Sequence, residues 1–394
     1  MNAHLAPVAS ANVAATCRPE VRRPPILLMA RHLDLGGSER QLTELALALG
    51  RDYRIHVGSF RSGGVRWADL KARRVPGLDL PMHSFRSPAA WWRSIRLLRD
   101  YIHAQGIALV HSFDPPTNVF LGFSAPFLSS AVLVSHRSAA ALRTPMFRFL
   151  GHTARRAADG IVVNCECLRV EVIKGGVRPE RVHLCYNGVD TARFERRGTE
   201  QTACLPSDAL VVGTVCALRP EKGVSTLLRA FAAAWASDSR LFLIVVGDGL
   251  ERRALEREAH QLGIIRRCAF EGARSDVLPW LNLFDIFVVP SLSEACSNAL
   301  LEAMASQRAC IASRVGGNPE LVSHGETGLL FEPEDVPGLT RCIRMLAGDE
   351  SLRCLYGQRA AGRVAADFTI ERAAARLSTI YRQYLDAASL RHAR

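Results

Sequence analysis

Residues 290–305 read Pro-Ser-Leu-Ser-Glu-Ala-Cys-Ser-Asn-Ala-Leu-Leu-Glu-Ala-Met-Ala and set two glutamates, Glu294 and Glu302, eight positions apart. The first follows the apolar run Asp285–Pro290, which reads as a short buried strand. The second lies within Asn298 to Gln307, a stretch of good helix formers that Ser297 or Asn298 can cap. Glu294 then belongs to the strand-to-helix loop, and Glu302 lies one to two turns into the helix. Free N–H groups and a partial positive charge at the helix start suit an anion. In open α/β sheets ligands bind beyond the carboxyl ends of the strands, which is where this loop would lie. The arrangement suits a phosphorylated ligand, with two carboxylates placed to accept hydrogen bonds from sugar hydroxyls.

The spacing also excludes a chemistry. Were both glutamates helical, eight residues would separate them by ~12 Å along the axis and ~80° around it. A pair that hydrolyses a glycosidic bond sits ~5–9 Å apart, on separately positioned elements. A hydrolytic pair is therefore disfavoured. The plain alternative is one loop glutamate and one solvated helix glutamate.

Further segments weigh against that alternative. Downstream stand Val315-Gly-Gly-Asn-Pro-Glu-Leu-Val322 and Gly325-Glu-Thr-Gly-Leu-Leu330. Upstream stand Leu35-Gly-Gly-Ser-Glu-Arg-Gln41, Asn187-Gly-Val-Asp190 with Phe194, and Leu218-Arg-Pro-Glu-Lys-Gly223. Between these groups lie Val246-Gly-Asp-Gly249 and Phe270-Glu-Gly272 with Asp276. Each is weak alone. In this order they resemble the retaining glycosyltransferases of family 4, whose hallmark is Glu-x7-Glu, then a Gly-Gly-x-Pro-Glu turn, then a Thr-Gly hairpin. The resemblance spans roughly residues 25–385, nearly the whole chain.

That resemblance implies the GT-B architecture and transfer of a hexose-type sugar from a UDP- or GDP-sugar. The acceptor would be a glycan or a lipid-linked sugar in polysaccharide, exopolysaccharide or lipopolysaccharide biosynthesis. By the same resemblance Glu294 contacts the transferred sugar, Glu302 the ribose hydroxyls, and the backbone near Gly272 and Arg274 the base. The leaving diphosphate gathers negative charge that needs fixed donors. Lys222 and Arg219 are the candidates, with the N–H groups at Gly36-Gly37 and at the Ser297–Asn298 helix start. Arg219 has the alternative of being a surface turn residue. His136, after Val132–Ser135, is the candidate catalytic histidine on the acceptor side, ahead of His111, although a lone histidine at a strand end is more often structural. No residue stands out as a nucleophile, which fits front-face transfer with retention.

Two positions depart from the resembled pattern. Ala217 stands where an arginine is common, five residues before Lys222, and Arg219 is the candidate substitute because its planar fork suits phosphate. Ala295 stands where glycine usually follows the first glutamate, adding a methyl at the closest backbone approach to the donor. These departures prompt one alternative, a non-catalytic scaffold that binds sugar nucleotides; the alternative among enzymes is a GT-B sugar-nucleotide epimerase or hydrolase.

Rival motifs fail. Lys222-Gly223 reverses the order of a phosphate-binding P-loop, and Gly36-Gly37 lacks the dinucleotide fingerprint. Gly247-Asp-Gly249 reads as a turn rather than a metal site. No Asp-x-Asp pair occurs, so no essential metal is expected, and no cofactor beyond the nucleotide-sugar co-substrate. The 11 cysteines are scattered, with a single C-x-C at Cys165 and Cys167 and no zinc spacing, and read as buried thiols in a reducing compartment.

Charge is uneven. The net charge of +12 arises wholly in residues 1–200, because 201–394 balance. Basic residues flank aromatic ones in Trp91–Arg99 and Leu142–Leu150, a pattern that suits an anionic membrane face as well as an ordinary solvated helix. No nucleic-acid motif is present, so no nucleic-acid partner is expected. Residues 115–135 are uncharged but broken by prolines and polar residues, so they read as a short helix and a buried strand rather than a membrane span. The expected location is cytoplasmic, with peripheral contact on the inner face of the membrane.

These residues need elements to hold them. With 394 residues and 48% hydrophobic content, the chain can bury two cores. Strands and helices alternate from Ile26 to Asn164 and again from Leu210 to Ser313, which implies two parallel sheets. The expected division is a disordered lead over 1–24, an acceptor-side Rossmann-like domain over 25–200, and a nucleotide-sugar domain over 201–370. A helix over 371–394 would cross back to the first domain.

Overall fold

The computed structural model describes residues 23–34, 36–61, 63–82, 84–85, 87–137, 145–194, 205–206 and 208–392. Nearly all of the expected lead, Leu35 of the glycine loop, and residues 195–204 around the expected division at 200 and 201 lie outside the described residues. So does the start of the Leu142–Leu150 segment.

The first sheet contains β1 (Pro25–Ala30), β2 (Arg54–Ser59), β3 (Gly77–Asp79), β4 (Leu109–Ser112), β5 (Ala131–His136), β6 (Gly160–Val163) and β7 (Val182–Leu184). Its order is β3-β2-β1-β4-β5-β6-β7, and every pairing is parallel. The second contains β8 (Leu210–Val215), β9 (Leu241–Val246), β10 (Cys268–Gly272), β11 (Ile286–Val289), β12 (Ala309–Ser313) and β13 (Leu329–Phe331), in the order β10-β9-β8-β11-β12-β13. Both are doubly wound. Helices cover both faces, so β1, β8 and β11 are almost uniformly apolar and buried rather than alternating, and β4 is buried throughout although His111 and Ser112 are polar. In each sheet the order reverses beside the first strand, between β1 and β4 and between β8 and β11. The crevices that open there are where such sheets bind ligands.

Two successive helices near the end of the chain go to different domains. Ala360 and Val364 of the helix Glu350–Asp367 pack in the second domain's core. Leu377, Ile380 and Tyr381 of the helix Ile370–His392 pack in the first domain's core, beside Leu28, Leu45 and Leu133. The crossing is pinned by backbone hydrogen bonds, Val189 N–H to Phe368 O at 2.9 Å and Ile370 N–H to Val189 O at 3.0 Å. Gly188 permits it, since a Cβ there would lie 2.6 Å from Ile370 Cα.

The returning helix also fixes a buried polar chain. Tyr381 OH lies 2.7 Å from His111 Nδ1, and His111 Nε2 lies 2.8 Å from Ser135 Oγ. His111, the rival candidate for an acceptor-side role, thus has both ring nitrogens engaged inside the first domain. Burial holds it neutral, with a pKa far below that of a free histidine. Removing the phenol oxygen leaves a buried imidazole nitrogen without a partner. Tyr381→Phe is expected to cost about 1–2 kcal/mol in urea unfolding, and Tyr381→Ala about 3–5 kcal/mol through the added cavity. A Tyr381→Phe variant as stable as the wild type would show that the hydroxyl contributes nothing.

Candidate functional site

The cleft between the sheets has a volume of about 590 Å³ and is lined from both domains. From the first come Gly36, Gly37, Arg40, Arg66 and Arg137, and from the second Arg219, Lys222, Arg274, Glu294, Ser297, Asn298 and Glu302.

The loop from Pro290 to Ser297 is held by glycines on neighbouring turns. Gly223 has φ +63°, and a Cβ there would lie 2.2 Å from Pro290 O. Gly316 has φ +54°, and its Cβ would lie 1.8 Å from Glu294 O. Gly317 donates its N–H to Ala295 O at 2.8 Å. The Pro220–Lys222 turn therefore lies directly against the Glu294 loop, and Lys222 Nζ donates to Glu294 Oε1 at 2.5 Å. Ser291 Oγ donates to the same oxygen at 2.8 Å. Both charged side chains remain partly open to the cleft. The methyl of Ala295 is buried and packs with the first domain's apolar cluster around Cys165. The extra carbon has a place across the domain seam.

Ser297 is the N-cap of the helix Asn298–Ala305 and accepts from Leu300 N–H at 3.4 Å. Asn298 Nδ2 donates across the cleft to Gly37 O at 3.1 Å, where the helix Gly37–Leu49 begins. Two helix N-termini thus converge on one space. Glu302 is 4% exposed and is ion-paired with Arg40 of the first domain. Burial raises its pKa to about 7, against the opposing pull of Arg40. Arg219 is more open, with Nη1 4.0 Å from Glu221 Oε1, and lines the cleft from its rim. Arg274 pairs with Glu271 at 3.0 Å and stacks on Trp280, its guanidinium carbon 5.2 Å from the ring centre.

Two sequence candidates lie elsewhere. Gly272 does not line the cleft. Its φ of +73° turns the chain after β10, and its carbonyl accepts from Gly247 N–H at 2.8 Å. It shapes the turn that delivers Arg274. His136 also does not line the cleft. It ends β5 with its ring buried and Nε2 3.6 Å from Glu171 Oε1. Side chains alternate across a strand, so the next residue, Arg137, faces the cleft in its place.

Arg40, Arg137 and Asn187 are the residues that sequence reasoning passed over. Asn187 ties the domains together. Its Nδ2 donates to Asn298 Oδ1 at 2.7 Å and to Cys296 O at 2.9 Å, and its Oδ1 accepts from Arg137 Nη1 at 2.8 Å. All three stand inside or beside quoted motifs, which was the available signal. Glu320, of the Gly-Gly-Asn-Pro-Glu turn, accepts from Glu166 N–H and Tyr186 OH across the same seam. Cys165, Cys167 and Glu320 bring three ligand-type atoms within 4.8 Å, but that carboxylate is already engaged by these donors.

The Glu302 shift has a thermodynamic consequence. The folded chain keeps this proton to about pH 7, whereas the unfolded chain releases it near pH 4.5. Between those values the folded state binds more protons, so stability falls as pH rises. The expected contribution is on the order of 1 kcal/mol per pH unit within that window, lost in Glu302→Gln. Identical pH–stability curves for the two proteins in urea unfolding would contradict it.

Compared with known proteins, residues 35–193 match the family described as Glycosyltransferase Family 4, and residues 209–349 match Glycosyl transferases group 1. N-acetyl-alpha-D-glucosaminyl L-malate synthase of Bacillus anthracis is 31% identical over 210 residues, covering 52% of this chain and 55% of that protein. The lipopolysaccharide core biosynthesis glycosyltransferase LpsE of Rhizobium meliloti (strain 1021) is 32% identical over 217 residues, 55% of this chain and 62% of that one. The chain thus spans less than two thirds of the length of these relatives. Among solved structures, HepE of Anabaena in complex with UDP superposes with a TM-score of 0.78 at 20% identity, covering 91% of this chain and 100% of the other. WaaG, a glycosyltransferase involved in lipopolysaccharide biosynthesis, gives 0.70 at 16% identity, covering 89% and 98%. These structural likenesses speak to fold, and the family matches fall one on each domain. The chain belongs to glycosyltransferase family 4, and the cleft between its two GT-B domains is where the motifs of that family meet.

Proposed function

We propose that this chain transfers a hexose-type sugar, with retention, from a UDP- or GDP-sugar to a glycan or lipid-linked acceptor in polysaccharide, exopolysaccharide or lipopolysaccharide assembly. The observation that carries the reading is the pairing of Lys222 with Glu294 between two convergent helix N-termini. The diphosphate takes up charge as the glycosidic bond breaks, and Lys222 and the N–H groups at Gly37 and Asn298 are preorganised to receive it. Glu294, no longer required by the ammonium once phosphate engages it, accepts from hydroxyls of the transferred sugar. Glu302 does the same for the ribose when Arg40 releases it. Fixed cations then stand where a divalent metal would otherwise act, so the reaction needs none. The names of the relatives support a role in lipopolysaccharide core or glycan assembly, and the HepE complex with UDP supports a uridine diphosphate donor.

We also propose that the basic first domain rests on an anionic membrane from the cytoplasmic side. On the helix Pro88–Gln105, Trp91 turns inward against Phe85 and Phe120, whereas Trp92 turns outward, 60% exposed. Its ring meets exposed Phe127 at 5.5 Å, and Leu97 lies exposed nearby on the same helix, with Arg93, Arg96 and Arg99 at the surface around them. Among the described residues no helix is long and apolar enough to cross a membrane.

Calorimetry with a panel of UDP-, GDP- and ADP-sugars, alongside an assay of released nucleoside diphosphate, tests the chemistry. One donor should bind saturably and be turned over, and Lys222→Ala should lower turnover by about 10²–10³-fold. Glu294→Ala should do likewise. Binding without release, even with membrane extract as acceptor, would support a scaffold instead. Flotation with phosphatidylglycerol vesicles tests the surface. The wild type should float, and Trp92→Ser with Phe127→Ser should stay behind; equal flotation would remove this patch from consideration.

A further inference from the structure

Arg137 is the least satisfied cation that lines the cleft. Its Nη1 donates to Asn187 Oδ1 at 2.8 Å, and its guanidinium carbon lies 4.6 Å from the centre of the Phe113 ring. These contacts fix one edge and one face of the planar group. The other edge carries Nε and Nη2, both buried and both without a hydrogen-bond partner among the described residues. The acidic groups that bear on it are Cys185, Tyr381 and Cys296, and the one base is His111, held neutral by burial. Burial raises the pKa of each acidic group, so all three are neutral near pH 7. No carboxylate of the described residues balances the charge. Nε–H and one Nη2–H point in parallel, which is the edge of the fork that takes two oxygens of a single carboxylate or phosphate.

The position says which molecule brings those oxygens. Through Asn187, Arg137 is tied to Cys296 O and Asn298, in the same short segment as Glu294. It stands on the first domain but is held against the donor loop of the second. We infer that Arg137 binds two oxygens of an anionic group on the nucleotide-sugar donor, either its diphosphate or a carboxylate of the transferred sugar. This rests on the donor reading above. The edge is shut off from solvent, so bulk water does not satisfy it. Reaching it takes a small shift of the side chain as the donor enters.

Calorimetry on the full chain separates the sources, with UDP, UDP-glucose and UDP-glucuronic acid as one set and GDP, GDP-mannose and GDP-mannuronic acid as the other. Arg137→Lys keeps the charge and loses the fork. If the diphosphate is the partner, this variant binds the nucleotide and both of its sugars at least about tenfold more weakly. If a sugar carboxylate is the partner, the wild type binds the acidic sugar at least about tenfold more tightly than the neutral one, and the variant loses that preference while keeping its affinity for the bare nucleotide. Unchanged affinities throughout would overturn the inference and leave the donor reading standing. A wild type that binds none of the six would overturn both. A second readout is made on the wild type and needs only one of two variants to fold, for assignment. In wild-type protein labelled with 15N arginine, the Arg137 Nε–H resonance, identified by its loss in Arg137→Lys or Arg137→Gln, should shift on saturation with the donor. A resonance that stays in place would sink the proposal.

Discussion

The site depends on how closely two turns approach the loop that leaves β11. Gly223, Gly316 and Gly317 bring backbone against Pro290, Glu294 and Ala295 at separations that leave no room for a Cβ. Two of these glycines also adopt left-handed φ values, which other residues reach only with strain. The glycines of the Lys222 turn and of the Gly-Gly-Asn-Pro-Glu turn therefore serve one purpose. They fix the backbone of Glu294 from both sides and put Lys222 against its carboxylate.

Around that fixed loop the domains are joined by polar contacts, beside the apolar seat of Ala295. Asn187, Asn298, Arg40, Glu302 and Glu320 make these contacts, and most of their atoms are buried. Buried polar groups are costly when unpaired, so each of these favours the closed arrangement seen here. Several of the same groups are needed by the proposed ligand. Arg40 guards Glu302, and Lys222 holds Glu294. A sugar nucleotide would exchange these internal pairs for its own hydroxyls and phosphates, so that binding and the state of the seam are linked.

The returning helix has a different role. It ties the last part of the chain to the first domain through Leu377, Ile380 and Tyr381, while the preceding helix stays with the second. The chain crosses between domains at Val189 and again at Phe368–Ile370, and the two crossings hydrogen-bond to each other. A paired crossing limits the ways one domain can turn relative to the other and keeps the crevices of the two sheets opposed.

The amino-acid sequence determined the alternation of strands and helices, the two parallel sheets and the family, because these rest on local periodicity and on glycine-marked turns. The run Asp285–Pro290 holds the strand Ile286–Val289, and the second set of elements begins with the strand Leu210–Val215, where the alternation placed it. The strands Gly77–Asp79, Val182–Leu184 and Leu329–Phe331 were not, since three residues are too few to show a period and only pairing with a neighbour defines them. Glu294, Lys222, Ser297 and Asn298 could be placed at the cleft from motif spacing, as both elements that carry them are local. His136 could not, because one residue at the end of β5 decides which side chain enters the cleft, and the pleat gave that place to Arg137. Arg40 with Glu302, and Asn187 with Asn298, join residues more than a hundred positions apart. Only the packing of one domain on the other brings them together, and no local pattern records it.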